Sequence, residues 1–396
     1  MARSGKPSPF AGLTRDTGLL ALSSLFADIS TEMLYPILPV FLTQTLGAGG
    51  SAVGLIEGFA QATQNIAQGF SGSLSDRLRR RKPIALAGYA LAAISKPLIG
   101  VSTTWSGVLA GRFLDRLGSG GRSAPRDALV AASAAPEHRG KAFGLEGAGD
   151  NAGAFLGPLI AFLLLTVWSI DMRWIFYLAV IPGLLAFAMV LLVRETPARA
   201  RSEVKIDASP LRLPPGYRRY LAATAIFGLG NSSNAFLILQ TRALGASLQA
   251  TILIYAGFNL VAALISYPAG HLSDRFGRRN LLLAAEAVFL VSYLGFGLSR
   301  NLVVVGAMFA LYGLFQGIFR AVGKALASDF ASPSRRAGAV GWYSATVGLA
   351  GLIASLVAGA LWDRMGHAAV FLYGAGLAAA GLLALALLVP GGSRTA

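Results

Sequence analysis

Gly72-Ser-Leu-Ser-Asp76-Arg77-Leu-Arg79-Arg80-Arg81-Lys82 is a polar stretch set between two long apolar runs. Gly270-His-Leu-Ser-Asp274-Arg275-Phe-Gly277-Arg278-Arg279-Asn280 repeats it in the same setting, half of the 396-residue chain further on. Leu46-Gly-Ala48 and Leu244-Gly-Ala246 share that offset. A polar loop duplicated at half the chain length predicts two related halves, each with its own set of helices.

The composition says what those helices cross. The chain is 55% hydrophobic and only 13% charged, where a soluble protein carries about 25% charged residues. Apolar runs of about 20 residues, enough for a hydrocarbon core of about 30 Å, recur about twelve times. The fold class expected is an all-α membrane protein with two six-helix bundles. No cysteine is present, which removes disulfides, thiolate catalysis and cysteine-ligated metal.

The net charge of +16 is laid out by topology rather than as a nucleic-acid surface. Lysines and arginines crowd the N-terminal tail, both copies of the repeated loop, the stretch after span 4, and the central loop with Arg194, Arg199, Arg201, Lys205, Arg212, Arg218 and Arg219. The opposite loops hold only Arg173, Arg242, Arg300 and Arg364. That bias puts both termini in the cytoplasm by the positive-inside rule, and no nucleic-acid partner is expected. The segment after residue 16 is too long, and too acidic at Asp28 and Glu32, for a cleaved signal peptide.

The expected organisation is a tail over 1–16, an N-terminal bundle over 17–193, a Pro-rich linker over 194–219, a C-terminal bundle over 220–390 and a tail over 391–396. Spans 1 to 6 are predicted at 17–42, 51–74, 83–101, 105–132, 142–167 and 173–193, each one continuous helix. Spans 7 to 12 are predicted at 220–242, 247–273, 281–299, 302–331, 337–362 and 368–389.

The repeated loop resembles the G-x-L-x-D-R-x-G-R-R signature of the major facilitator superfamily. The second copy matches in full, and the first has Arg79 in place of the glycine. Gly149-Asp-Asn-Ala-Gly153-Ala-Phe-Leu-Gly157-Pro158 is similar to that family's span 5 motif found in antiporters, with Ala161 and Phe162 where its trailing glycine pair would stand. Arg116-Leu-Gly-Ser-Gly120 resembles its span 4 arginine motif. The resemblance implies a drug/proton-antiporter-like carrier in a bacterial inner membrane. Two six-helix bundles would rock about a midplane site lined by spans 1, 4, 7 and 10.

Ionisable groups at membrane depth are costly, so they should face protein or a cavity and mark function. Asp28 and Glu32 lie on one face of span 1, Asp28 roughly 16 Å deep at 1.5 Å per residue. Either one binds the coupled proton, or one pairs with a span 4 arginine to hold the half together. The resemblance makes Arg116 the third member of this proton-coupling set. Glu57, Gln61, Arg112, Asn231, Asn234, Gln316 and Arg320 are the expected cavity residues, with Lys324 one turn beyond. The polar stripe of span 2 reads equally as glue between helices. Asp76, Arg77, Arg80, Asp274, Arg275 and Arg278 are expected to gate the cytoplasmic end, as the resemblance implies, with Asp76 a latch. Arg122 and Arg126 are expected to serve gating ion pairs, and Glu146 and Asp150 to pair with them as a structural network. Gly153, Gly157 and Pro158 are expected to let span 5 pack closely or bend. Lys96 and Glu286 are expected to snorkel to the interface.

Gly317-Ile-Phe-Arg-Ala-Val-Gly323-Lys324-Ala fails the phosphate-loop spacing. His138, His271 and His367 are scattered, so neither a metal site nor a cofactor is expected. The function expected is proton-coupled export of a small organic molecule by a monomer whose partners are the lipid bilayer, protons and the substrate. Uptake or exchange of an organic anion, metal chelates included, is the alternative within transport. A membrane-embedded enzyme or lipid scramblase is the alternative of another class.

Overall fold

A computed structural model describes residues 12–78, 80–195, 214–332 and 336–390, without the side chains of Asp76, Pro136, Tyr267, Arg336 and Ala337. The termini, most of the linker, Arg79 and the Asp76 side chain therefore lie outside the described residues.

The expected all-helical architecture is present. In the N half, span 1 comprises α1 (Arg15–Glu32), a short α2 (Leu38–Val40) and a π-helical turn, Phe41–Thr45. Spans 2 to 5 are α3 (Gly50–Leu78), α4 (Lys82–Val101), α5 (Trp105–Ala132) and α6 (Arg139–Thr166). Span 6 is α7 (Met172–Leu178) followed by α8 (Val180–Leu192). In the C half, span 7 is α9 (Pro215–Gly228) and α10 (Ala235–Ala243). Spans 8 to 12 are α11 (Leu248–Phe276), α12 (Arg278–Leu298), α13 (Leu302–Asp329), α14 (Arg336–Met365) and α15 (His367–Leu388).

Spans 1 and 7 differ from expectation: each is broken rather than continuous, and in corresponding places. Span 1 breaks after Glu32, where Pro36 and Pro39 remove two backbone donors. Span 7 breaks across Leu229–Asn234, a Gly-Asn-Ser-Ser-Asn run whose side chains compete with the helix for backbone groups. Its start is also earlier than expected, because Pro215 at the first helical turn nucleates α9 inside the predicted linker.

Capping explains several sharp starts. Thr104 accepts from the Gly107 amide at the head of α5, Ser247 from Ala250 at α11, and Asn301 from Val303 at α13. In the second copy of the repeated loop, Gly277 sits at φ 86° and lets α11 end and α12 begin within one residue.

Within the N half, α1 packs along α6 and α8, α5 along α3 and α4, and α4 against α8. In the C half, α13 packs on α11 and α12, and α15 on α9 and α12. Gly153 and Gly157 do bring α6 against α1: a Cβ at Gly153 would stand 2.8 Å from the Asp28 Cβ, and one at Gly157 2.9 Å from that of Glu32. Pro158 is accommodated inside a continuous α6.

The halves meet along α3–α14, α6–α11 and α2–α10. We call the end carrying loops 46–49 and 244–247 the outer end, after the charge bias. There the Asp363 carboxylate of α14 accepts from the Gly50 and Ser51 amides at the start of α3, at 2.6 and 2.8 Å. Arg242 donates to Gln44 at 3.2 Å. Further in, Asn259 of α11 donates to the Ala154 carbonyl of α6 at 2.9 Å. Toward the inner end an added Cβ at Gly69, Gly144, Gly147, Gly270 or Gly341 meets open space. These bonds between the halves run from the outer end to mid-membrane, and we read the bundles as parting from there toward the inner end to leave a cavity.

Candidate functional site

The breaks in spans 1 and 7 lie at the apex of that cavity and bring polar groups of both halves together. Tyr255 of α11 donates to the Glu32 carboxylate at 2.9 Å, and Asn259 reaches the same oxygen at 3.5 Å. Tyr35, in the turn after α1, stacks on Tyr255 with ring centroids 5.4 Å apart. Its hydroxyl meets that of Ser233 at 3.3 Å, and Ser233 donates to Glu57 at 3.4 Å. Glu32, Tyr35 and Glu57 of the N half are thus bonded directly to the C half.

Asp28 and Glu32 are both half-buried on α1, one turn apart, but only Glu32 is among the groups bonded across the interface. Asp28 lies deeper inside the N half, against Gly153 and within the fields of Asp150, Arg122 and Arg126. Arg116 is not in contact with either acid. Its Nη1 donates to Gln64 at 3.0 Å and its Nε lies 3.3 Å from Asp115, while its charge acts on Glu32 from a distance.

Glu57 and Arg112, read from the sequence as cavity ligands, are bound to each other. Arg112 Nε donates to Glu57 at 3.0 Å, and Arg112 Nη1 to Asp115 at 3.1 Å. Asp115 also pairs with Lys96 at 3.2 Å. Lys96 is only 2% exposed, so it does not snorkel: a carboxylate on the adjacent helix compensates its burial. Glu286 does not snorkel either. It is buried inside the C half with Oε2 lacking a partner among the described residues, because its position in α12 faces the bundle interior rather than lipid.

On the C side, Tyr312 of α13 donates to Asn234 at 2.8 Å and reaches Asn231 at 3.3 Å, fastening the break of span 7. Gln316 is half-buried and Arg320 exposed on the same face of α13. Gln61 is exposed and donates to Asn65 at 3.4 Å.

Arg126, rather than Arg122, makes the ion pairs expected with the acids of span 5. It lies 2.9 Å from Glu146 and 3.6 Å from Asp150, and Glu146 also accepts from Ser24 at 2.8 Å. Arg122 instead lies over the Tyr89 ring, 4.5 Å from its centroid, with Nε and Nη1 lacking acceptors among the described residues. Tyr89 and Arg122 border a small pocket, with room for about one water, that Ser30, Thr31 and Lys96 also line.

Of the loop residues, Arg77 and Arg80 are exposed. Arg278 lies 3.9 Å from Asp274, donates to the Ala325 carbonyl at 2.9 Å and pairs with Asp329. Arg275 packs over the neighbouring Phe276 ring. Sequence reading missed Tyr255, Asn259, Tyr312 and Asp363. The i+4 pair Tyr255–Asn259 in an apolar helix was the available signal for two of them.

This architecture has counterparts. A family model described as Major Facilitator Superfamily matches residues 20–221 and again 220–395. An uncharacterized MFS-type transporter of Methanocaldococcus jannaschii is 34% identical over 380 residues, covering 94% of this chain and 95% of the relative. Among solved structures, the nucleoside transporter NupG superposes with a TM-score of 0.78 at 13% identity, over 95% of this chain and 99% of that one. A D-xylose-proton symporter gives 0.77 at 16% identity, over 95% and 98%. At these identities the two structures speak for the fold alone.

Proposed function

The chain belongs to the Major Facilitator Superfamily, and from that premise we propose that it is a proton-coupled secondary transporter of a small organic molecule, with Glu32 as the coupling carboxylate. Family membership makes transport by alternating access, rather than catalysis, the activity. One observation carries the choice of Glu32: the Tyr255 hydroxyl of the opposite half donates to it at 2.9 Å. A hydrogen bond to an ionised carboxylate is roughly twice as strong as one between neutral groups. Proton loss from Glu32 therefore tightens the outer closure, and proton uptake loosens it. Asp28, without a bond across the interface among the described residues, is the weaker candidate.

The direction of transport follows from how proton and substrate share Glu32. Export in exchange for protons requires that they compete for it. Uptake driven by protons requires that they bind together.

Because the chain has no cysteine, one cysteine at Gln61, exposed on the cavity side of α3, reports the inner opening. In inside-out vesicles its alkylation by an impermeant maleimide should rise with pH, as Glu32 ionises and the outer end closes. Glu32→Gln should make alkylation slow and leave only the pH dependence of the thiol itself, which a control cysteine in an exposed loop measures. Unchanged pH dependence in Glu32→Gln, with loss of it in Asp28→Asn, would transfer the coupling role to Asp28.

A further inference from the structure

Gln316, Arg320 and Lys324 stand at i, i+4 and i+8 on α13, one turn below Tyr312, so they continue a polar strip from the break of span 7 toward the inner end. Arg320 and Lys324 are exposed, and neither makes a hydrogen bond or ion pair to a described residue. Their charges act on groups of the opposite half, Arg320 on Glu32 and Lys324 on Asp127. They therefore look across the cavity. Facing lipid is costly for a cation at membrane depth.

The opposite wall carries a third cation. Arg116 donates through Nη1 to Gln64 and shares Asp115 with Arg112 and Lys96, but its buried Nη2 has no acceptor among the described residues. Above these cations sits the stacked Tyr35–Tyr255 pair, a flat, partly apolar ceiling. A buried donor left without an acceptor is expensive unless something satisfies it.

We infer that the transported substrate is an organic anion, a carboxylate or sulfonate with an apolar or aromatic body, held by Arg320 and Lys324 with Arg116 opposite, and that it binds together with a proton on Glu32. The second clause rests on the reading of Glu32 given above; the first stands on the α13 strip. Ionised Glu32 competes with the substrate for the fields of Arg116, Arg112 and Arg320. Protonating Glu32 releases those fields to the substrate, so the two ligands favour each other, which is the linkage of a symporter. The other groups around Glu32 are Tyr255 and Asn259 of α11, which donate to it, and Asp28 and Tyr35 of its own span.

The test uses the purified full chain, with benzoate, phenylacetate, benzenesulfonate and adipate as probes against benzamide and phenylacetamide. Binding is read as dose-dependent thermal stabilisation at pH 6 and pH 8. At least one acid should stabilise where its amide does not, and more tightly at pH 6. The double variant Arg320→Gln/Lys324→Gln should weaken that binding by about tenfold or more, the worth of one charge-assisted contact. Its unliganded melting temperature should stay at the wild-type value, since neither side chain has a described partner to lose. Stabilisation by the amides equal to that by the acids overturns the inference, as does stabilisation by none of the acids or undiminished binding to the double variant. If acids bind through Arg320 and Lys324 but their pH dependence survives Glu32→Gln, the anion site stands and Glu32 is not the coupling group.

Discussion

Tyr35 and Ser233, 198 residues apart and therefore equivalent positions in the two halves, meet through their hydroxyls at 3.3 Å. Gln44 and Arg242, also 198 apart, repeat the relationship at the outer end. Residues related by the internal repeat touch only where its two-fold axis passes between them. Spans 1 and 7 therefore close the outer end against each other along that axis, and opening must separate both pairs. Joining Gln44→Cys to Arg242→Cys with a short bis-maleimide should hold the outer end shut and abolish transport, with recovery when a cleavable linker is cut. Full transport by the cross-linked chain would mean that this end does not open.

The span count, the two-half organisation and the helical class were legible because hydropathy and loop charge encode them directly. The breaks in spans 1 and 7 left local marks, Pro36 and Pro39 in one and the Gly-Asn-Ser-Ser-Asn run in the other. An apolar run long enough to span a membrane masks such marks when length is the criterion. Partner choice was not legible. Lys96 finds Asp115 because α4 and α5 pack at a particular rotation, and Arg122 turns to Tyr89 instead of the span 5 acids for the same reason. Helix periodicity says which residues share a face, not which neighbour that face meets.

Asp363 caps the first turn of α3 from the opposite half, accepting from Gly50 N, Ser51 N and, at 2.5 Å, the Ser51 hydroxyl. The helix start offers unpaired amides and a partial positive charge to the carboxylate. Asp363→Asn removes the charge and one acceptor, so the outer-closed state should lose about 1 kcal/mol or more. A cysteine at Ser233, which lies at the contact between the halves, should then react faster with an impermeant maleimide added outside. An unchanged rate would show that the cap contributes nothing to closure.

α3 and α14 approach closely because small residues face each other. A Cβ on Gly359 would stand 2.6 Å from the Gly50 carbonyl, and one on Gly54 would collide with the Ser355 carbonyl. Backbone cannot yield as a flexible side chain does, so Gly54→Val should disfavour the outer-closed arrangement. Labelling of Ser233→Cys from outside should rise, and labelling of Gln61→Cys from inside should fall. Opposite changes would place the close approach in the other state.

The loop charge bias makes one further claim that is cheap to test. A fluorescent reporter after Ala396 should glow in the cytoplasm, and an epitope inserted at Gly49 should be reached by antibody on intact cells. The inverse result would exchange the inner and outer ends, and proton loss from Glu32 would then tighten closure on the opposite side of the membrane.

Arg112 is the centre of a dense buried charge cluster in the N half. It is 2% exposed, forks onto Glu57 through Nε at 3.0 Å and Nη2 at 3.3 Å, and donates through Nη1 to Asp115 at 3.1 Å. Glu57 is in turn bonded to Ser233 of the other half, so the cluster also supports the interface. Removing the guanidinium leaves Glu57 buried without its counter-charge and Asp115 with fewer, and breaking such a pair costs roughly 3–5 kcal/mol. Arg112→Ala should therefore lower the melting temperature and yield of the purified protein sharply. Arg112→Lys keeps the charge but not the fork, and should fall between. The double variant Glu57→Gln/Arg112→Gln removes both unmatched charges and should be more stable than Arg112→Ala alone. If Arg112→Ala melts within about 1 kcal/mol of the wild type yet no longer transports, Arg112 is a substrate ligand and not a structural ion pair.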